Sequence, residues 1–224
     1  VPLLRSTFRR GYALWARLLH PAGRACTENL AGMTLEIAPG VFNPVAFLTS
    51  TLLIDLIDAA PPAPGARWLE LGTGCGFAAI HAARRGASVV AVDLSESAAY
   101  CATGNAARNG VAEHVRCVQG DLFAPVAAER FDAVLFHPPY FPGAQGDDFE
   151  RAWCYGDLPE RFAEELGAHL RPGGVALLLL STNGHCAAYL RALEAADYAI
   201  EIIVERELIV ERAIGYRIAP VPRG

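Results

Sequence analysis

From Pro64 onward the chain alternates between short apolar, β-prone runs and Ala-rich segments of helical spacing, and few folds accept that rhythm. The strand-like runs are Trp68–Leu71, Ser88–Val92, Val115–Val118, Phe131–Phe136, Val175–Leu180 and Tyr198–Val204. Helices are expected between most of them, at about 75–85, 95–109, 158–170 and 184–196. Strands divided by helices predict an α/β fold with a parallel sheet covered on both faces, because each parallel crossover has to travel back along a helix. No helical pattern separates 198–205 from 207–218, so this pair is expected as a terminal antiparallel hairpin. A chain of 224 residues accommodates one such domain with a small N-terminal addition. The expected division is an N-terminal helical segment over 1–60, acting as lid or packing, followed by the sheet domain over 61–224.

Within the first segment Phe8, Tyr12, Trp15 and Leu19 recur at helical spacing, with arginines on the other side. Packing on a domain is the expected role of that face, with a membrane-surface helix or a homodimer contact as the alternatives. Arg5, Arg9, Arg10, Arg17 and Arg24 are balanced only by Glu28, a modest basic patch read as a solvated helix face rather than an RNA-binding arm. A second helical pattern runs from Phe47 to Ala59, and Pro61-Pro-Ala-Pro-Gly65 ends it, since consecutive prolines cannot continue a helix.

Composition removes several kinds of chemistry. The chain has no lysine, so all 19 basic residues are arginine. A P-loop needs Lys to reach its phosphates and a Schiff-base enzyme needs a Lys amine, so both are excluded. The net charge of −5 supplies no overall pull toward nucleic acid, whose binding rests largely on phosphate neutralisation. The six cysteines form no C-x-x-C pair and show no metal-ligand spacing, so reduced, buried thiols, no metal and a cytoplasmic setting are expected. No apolar run is long enough to span a bilayer and no secretory signal is visible; no membrane association is expected.

Four motifs carry chemistry. The run Leu69-Glu70-Leu71-Gly72-Thr73-Gly74-Cys75-Gly76 is a strand entering a glycine turn and then a helix. Such a turn lets backbone amides approach a carboxylate or phosphate closely. Dinucleotide folds place their third glycine one position later, at 77, where this chain has Phe77. Glu70 adds an acidic acceptor suited to a cationic amino-acid tail. Asp93 ends the next strand, with Leu94 after it, and is placed either to accept two ribose hydroxyls or to cap the following helix. Asp121 follows the third strand, with Leu122 and Phe123 behind it. It reads either as a turn residue or as the acceptor of an adenine amino group, with Leu122 against the ring. Acids after both strands favour S-adenosyl-L-methionine (SAM) over a dinucleotide.

The fourth motif is Phe136-His137-Pro138-Pro139-Tyr140-Phe141, directly after a strand. Here the sequence resembles class I SAM-dependent methyltransferases of the amino-methylating branch, whose signature at this place is Asn/Asp-Pro-Pro-Tyr/Phe. Over about residues 40–218 it is most similar to the release-factor protein-glutamine methyltransferases and their small-domain relatives. Further points of likeness are Val41-Phe-Asn-Pro44, Gly120-Asp-Leu122, Glu150-Arg-Ala-Trp153 and Leu170-Arg-Pro-Gly-Gly174. The resemblance implies a Rossmann-like, seven-stranded, mostly parallel sheet. It implies SAM at Gly72–Gly76, Asp93, Leu122 and residue 137, with Glu70, Leu94 and Asp121 beside them. The polar residue and Pro138 would hold the acceptor nitrogen, and Tyr140 would stack on a planar acceptor.

Residue 137 departs from that signature. A neutral imidazole offers one donor and one acceptor nitrogen, where an amide offers a carbonyl and an NH2. His137 reads in three ways: a general base, a replacement holding the acceptor, or the mark of a non-catalytic binding module. Glutamine methylation is the activity this change puts most in question. The expected acceptor is therefore a small, aromatic or heterocyclic molecule methylated at N or O, with a protein side chain as the alternative and nucleic acid disfavoured. His20, His81, His114, His169 and His185 are expected at surface or helix positions, and Trp153 and Tyr155 either at the acceptor pocket or in packing.

Overall fold

The computed structural model describes residues 25–139, 141–142, 154–182, 186–208 and 211–221. The proposed helix over 6–19, His20, Tyr140, Trp153 and His185 lie outside the described residues. In chain order come a hairpin of β1 (Cys26–Leu30) and β2 (Met33–Ile37), α1 (Thr49–Ala59), β3 (Arg67–Leu71), α2 (Phe77–Arg84), β4 (Ser88–Asp93), α3 (Glu96–Arg108), β5 (Val115–Gln119) and β6 (Phe131–Phe136). Two-residue strands β7 (Phe141–Pro142) and β8 (Cys154–Tyr155) pair with each other. Next are α4 (Leu158–His169), β9 (Leu170–Ser181), α5 (Cys186–Ala195), β10 (Tyr198–Glu207) and β11 (Arg212–Pro220).

Seven strands form one sheet in the order β10-β11-β9-β6-β3-β4-β5. Pairing is parallel from β9 through β5, and β11 runs antiparallel to both of its neighbours. This is the covered parallel sheet that the alternating pattern predicts and the Rossmann-like, seven-stranded one that the resemblance implies, with the expected antiparallel C-terminal hairpin. After β3 the chain builds β4 and β5 on one side, then returns to lay β6 on the other. That reversal opens a crevice beyond the carboxyl ends of β3 and β6, the place where open α/β sheets bind ligands.

Burial on both faces explains why the central strands read as continuous apolar runs. In β6, Ala133 and Leu135 face one core and Val134 and Phe136 the other. In β9, Leu177 and Leu179 alternate with Leu178 and Leu180 in the same manner. Successive side chains of a strand point to opposite faces, so one run of leucines feeds two cores. The first core lies under α1, α2 and α3, and the second under α4 and α5.

The described part of the N-terminal segment is not purely helical, as a helical segment over 1–60 would have it. Among the described residues, 26–37 form a hairpin, a short 3-10 helix spans Pro44–Ala46, and α-helix starts at Thr49. Met33, Leu35 and Ile37 enter the same core as Leu52, Leu56, Ala78 and Ile80. Buried Asn105 of α3 sews this hairpin to the glycine turn. Its Nδ2 donates to Glu36 O and to Cys75 O, each at 2.9 Å, while its Oδ1 accepts from Glu36 N at 2.8 Å. Of the five histidines expected at surface or helix positions, His81, His114 and His169 are described and all are on helical turns, with His81 and His169 buried. His81 Nε2 lies 2.7 Å from Asp58 Oδ1, and His169 stacks on Phe123. Cys26, Cys75, Cys101, Cys117 and Cys186 are free thiols, with Cys26 exposed and Cys75 and Cys101 buried. Among the described residues no helix is long and apolar enough to cross a membrane.

Candidate cofactor and acceptor site

Strand β3 ends in a turn whose shape only glycine adopts without strain. Gly72, Gly74 and Gly76 have φ of +68°, +56° and +85°. Gly76 has a second reason: a Cβ there would lie 2.9 Å from Ala102 Cβ on α3. The turn is braced from beneath by Glu70, whose Oε2 accepts from Thr73 Oγ1 at 2.6 Å and from Ala79 N at 3.0 Å. Burial pushes the Glu70 carboxyl up to about 8, the two hydrogen bonds oppose this, and the nearby Asp93 charge adds to it. Glu70 is therefore mostly protonated at neutral pH.

Asp93 stands across the turn at the end of β4. Its Oδ2 accepts from Gly74 N at 2.8 Å and its Oδ1 from Ser95 N at 2.9 Å. Burial raises its pKa, and the backbone donors hold it back. A carboxylate has about four acceptor positions, so two backbone bonds leave capacity for two ligand hydroxyls. The helix-capping alternative goes to Ser95, whose Oγ accepts from Ala98 N. Asp121 follows β5, and Leu122 beside it has φ of +46°, a left-handed conformation rare outside glycine. Strain of this kind clusters where a ligand is held.

These elements line one cavity. Its walls include Glu70, Gly72, Thr73, Gly74, Asp93, Leu94, Asp121, Leu122, His137 and Pro138, all anticipated from the sequence. Gly76 lies behind the wall, packed against α3, and Tyr140 is outside the described residues. The cavity also has a side that sequence reasoning did not assign. Val41, Phe42, Phe47, Thr49 and Leu53 close it from the N-terminal segment, and Leu158 closes it from α4. The Phe42 and Phe47 rings stack at 4.8 Å between centroids. Asn43 fixes that bend by accepting from Val45 N at 3.0 Å and donating to Glu28 Oε1 at 3.0 Å. The Val41-Phe-Asn-Pro44 run was visible as a likeness, but its place opposite the glycine turn is a long-range contact.

His137 follows β6 at the meeting of these walls. It lines the cavity and is half-buried, and burial pushes its pKa down to about 4. It is a neutral imidazole at physiological pH. Phe136 before it and Phe123 after Leu122 both pack on Phe162 of α4, at 5.1 and 6.0 Å between ring centroids, so one buried ring supports both floors of the site.

The donor set fits SAM. Leu94 and Leu122 on the wall offer apolar contacts that suit adenine, Asp93 suits vicinal hydroxyls, and the glycine turn ahead of α2 suits the amino-acid end.

Residues 32–205 match the Methyltransferase small domain family. A release factor glutamine methyltransferase of Gloeobacter violaceus is 32% identical over 210 residues, covering 82% of this chain and 71% of that protein. A ribosomal RNA small subunit methyltransferase C of Alcanivorax borkumensis is 32% identical over 200 residues, covering 86% of this chain and 57% of that protein. A ribosomal protein L11 methyltransferase of Pelotomaculum thermopropionicum is 35% identical over 170 residues, covering 75% of this chain and 49% of that protein. The chain thus spans little more than half of the second and about half of the third. Among solved structures, the Thermus thermophilus 16S rRNA N2 G1207 methyltransferase in complex with AdoMet and guanosine has a TM-score of 0.67 at 23% identity. It covers 86% of this chain and 49% of that one, and the likeness is one of fold.

These relatives correct two expectations about partners. A small-molecule acceptor was expected first and nucleic acid was disfavoured, whereas the relatives are named for a release factor, for L11 and for ribosomal RNA. The net charge of −5 is a property of the whole chain, and it does not report which acceptor one local surface takes. The glycine turn, the paired acids and the Pro-Pro turn around one cavity, with the matched span, make this chain a member of the Methyltransferase small domain family, an enzyme that uses S-adenosyl-L-methionine.

Proposed function

We propose that this enzyme methylates a nitrogen on a protein side chain, and that the group it takes is neutral and planar, as a carboxamide is. The observation that carries this reading is the suppressed basicity of His137, pushed down to about 4 by burial. So weak a base takes a proton poorly at neutral pH. An ammonium acceptor such as lysine, with a pKa of about 10.4, would need a base to free its lone pair. A neutral nitrogen needs only to be held and aimed, and an unprotonated ring nitrogen does this by accepting its N–H. Of the three roles open to His137, positioning is the one this supports. Where asparagine would grip an amide at two points, His137 would grip it at one. The change would then weaken acceptor binding rather than abolish transfer. Relatives named for release factor and for L11 support the protein acceptor, and such an acceptor sets the reaction in the cytoplasm, with the ribosomes.

Gly72, Thr73 and Gly74, with Asp93, Leu94, Asp121 and Leu122, would hold SAM, which supplies an electrophilic methyl group when bound. Val41, Phe42, Phe47, Thr49 and Leu53 would then close the cavity from the N-terminal side, with the stacked Phe42 and Phe47 rings excluding water from it. The test uses radiolabelled SAM in a native extract. Label in a protein band, stable to base hydrolysis of esters, is expected. Label in the RNA fraction would replace the protein acceptor with an RNA one, the reading that the ribosomal RNA relative supports. In parallel, His137→Ala should keep SAM affinity within about threefold while turnover falls about a hundredfold or more. Asp93→Ala should lose about tenfold or more in SAM affinity. Equal affinity losses in both variants would defeat these roles.

A further inference from the structure

Helix α4 offers the base end of the site a charged group with no role so far. Arg161 Nη2 lies 2.7 Å from Asp121 Oδ2, and Arg161 Nε lies 3.9 Å from Glu165 Oε1 one turn along. Both partners of the first pair are partly exposed, so the bond adds little to stability. Its position is the informative part. Asp121 lines the cavity from a turn, and a carboxylate on a turn can rotate toward solvent. Arg161 sits on a rigid support: the next residue, Phe162, is fully buried against Phe123 and Phe136. Leu158, one turn earlier on α4, lines the same cavity.

We propose that Arg161 is a positioning residue for base recognition, holding one oxygen of Asp121 so that the other faces an exocyclic amino group and the site selects adenine over an oxo-purine. This rests on Asp121 reading the base, and not on any choice of acceptor. A fixed carboxylate oxygen accepts from an amino group and repels a carbonyl oxygen at the same place, and this is the strong kind of discrimination. A carboxylate free to turn away gives up both effects. The guanidinium already spends its nearest donor on Asp121, so it favours the oxo group less than the carboxylate disfavours it.

Calorimetry with S-adenosylhomocysteine and S-inosylhomocysteine tests this without an acceptor. The parent enzyme should prefer the adenine compound by about tenfold or more, the scale of one charge-assisted hydrogen bond. Arg161→Ala should narrow the preference to about threefold or less by weakening the adenine compound, with an unchanged melting temperature, and Arg161→Lys should restore most of it. A preference lost in Asp121→Ala but kept or increased in Arg161→Ala overturns the role of Arg161 alone. A preference kept in Asp121→Ala overturns the base-reading role of Asp121 and this proposal with it. Neither result touches the protein acceptor, and a failed search for a methylated protein would leave the calorimetric result standing.

Discussion

Glu70 and His137 face one cavity, and burial neutralises both, one an acid and the other a base. Their effects on stability have opposite signs. Glu70 rises from 4.5 to about 8 on folding, so between those values the folded protein holds a proton that the unfolded chain has lost. Stability from this group falls as pH rises across that window. His137 drops from 6.5 to about 4, so there the unfolded chain holds the extra proton and stability falls as pH drops. The two oppose each other between 4.5 and 6.5, and above 6.5 only Glu70 still contributes a slope. In the cofactor-free protein, Glu70→Gln should flatten the decline in melting temperature from pH 6.5 to pH 8. His137→Asn should gain on the parent as pH falls from 6.5 toward 4, measured by the same thermal melts. A Glu70→Gln curve parallel to the parent would mean that the carboxyl is ionised in place.

At the scale of the element, the sharpest local demand is at Gly76. A side chain there meets a φ of +85° and a contact of 2.9 Å with Ala102 Cβ. Gly76→Ala should cost about 1–3 kcal/mol from the backbone alone, with more from overpacking. Adding Ala102→Gly should return only part of the packing loss, since Ala102 Cα stays 3.0 Å from the new Cβ, and urea titrations of Gly76→Ala, Ala102→Gly and the double variant would measure the coupling. The same element shows why some of the site was legible in the sequence. Gly72, Asp93, Asp121 and His137 each come at or just after the end of a strand, and a parallel strand buried on both faces advertises itself as an unbroken apolar run. A residue just past such a strand lies at the carboxyl edge of the sheet, so spacing alone brought those four to one place. The hairpin carried a weaker sign. Its turn holds Ala31 at φ +48° and Gly32 at φ +72°, and a left-handed alanine stands where Asn or Gly would have announced a primed turn. Met33-Thr-Leu-Glu-Ile37 does alternate apolar and polar, and every second residue is buried, so β2 was legible and was passed over, whereas Cys26-Thr-Glu-Asn-Leu30 shows no such alternation. Phe42, Phe47 and Arg161 escaped for another reason: their neighbours in space are far away in sequence, and no local period encodes that.

For the whole molecule, the question is whether residues 1–60 and 61–224 are two units or one. The described part of the first segment has no core of its own. Leu56 and Ile57 of α1 are fully buried, and Leu56 sits on Gly215 of β11, where any Cβ would lie 2.8 Å from Leu56 Cδ1. Asp58 ties α1 to α2 by accepting from His81 Nε2 at 2.7 Å and from Arg85 Nη2 at 2.8 Å. A helix that fills the sheet's own core cannot leave without exposing it, so α1 should melt with the sheet and not before it. Leu56→Ala should cost about 2–5 kcal/mol, the usual range for a large core residue. That loss should move a single urea transition, followed by far-ultraviolet circular dichroism and by fluorescence from Trp68 in β3. Two transitions, with only the earlier one moved by Leu56→Ala, would make the N-terminal segment an independent cover. In a single unit, Phe42 and Phe47, which precede α1 on the cavity wall, should stay in place with α1 and the sheet until that one transition.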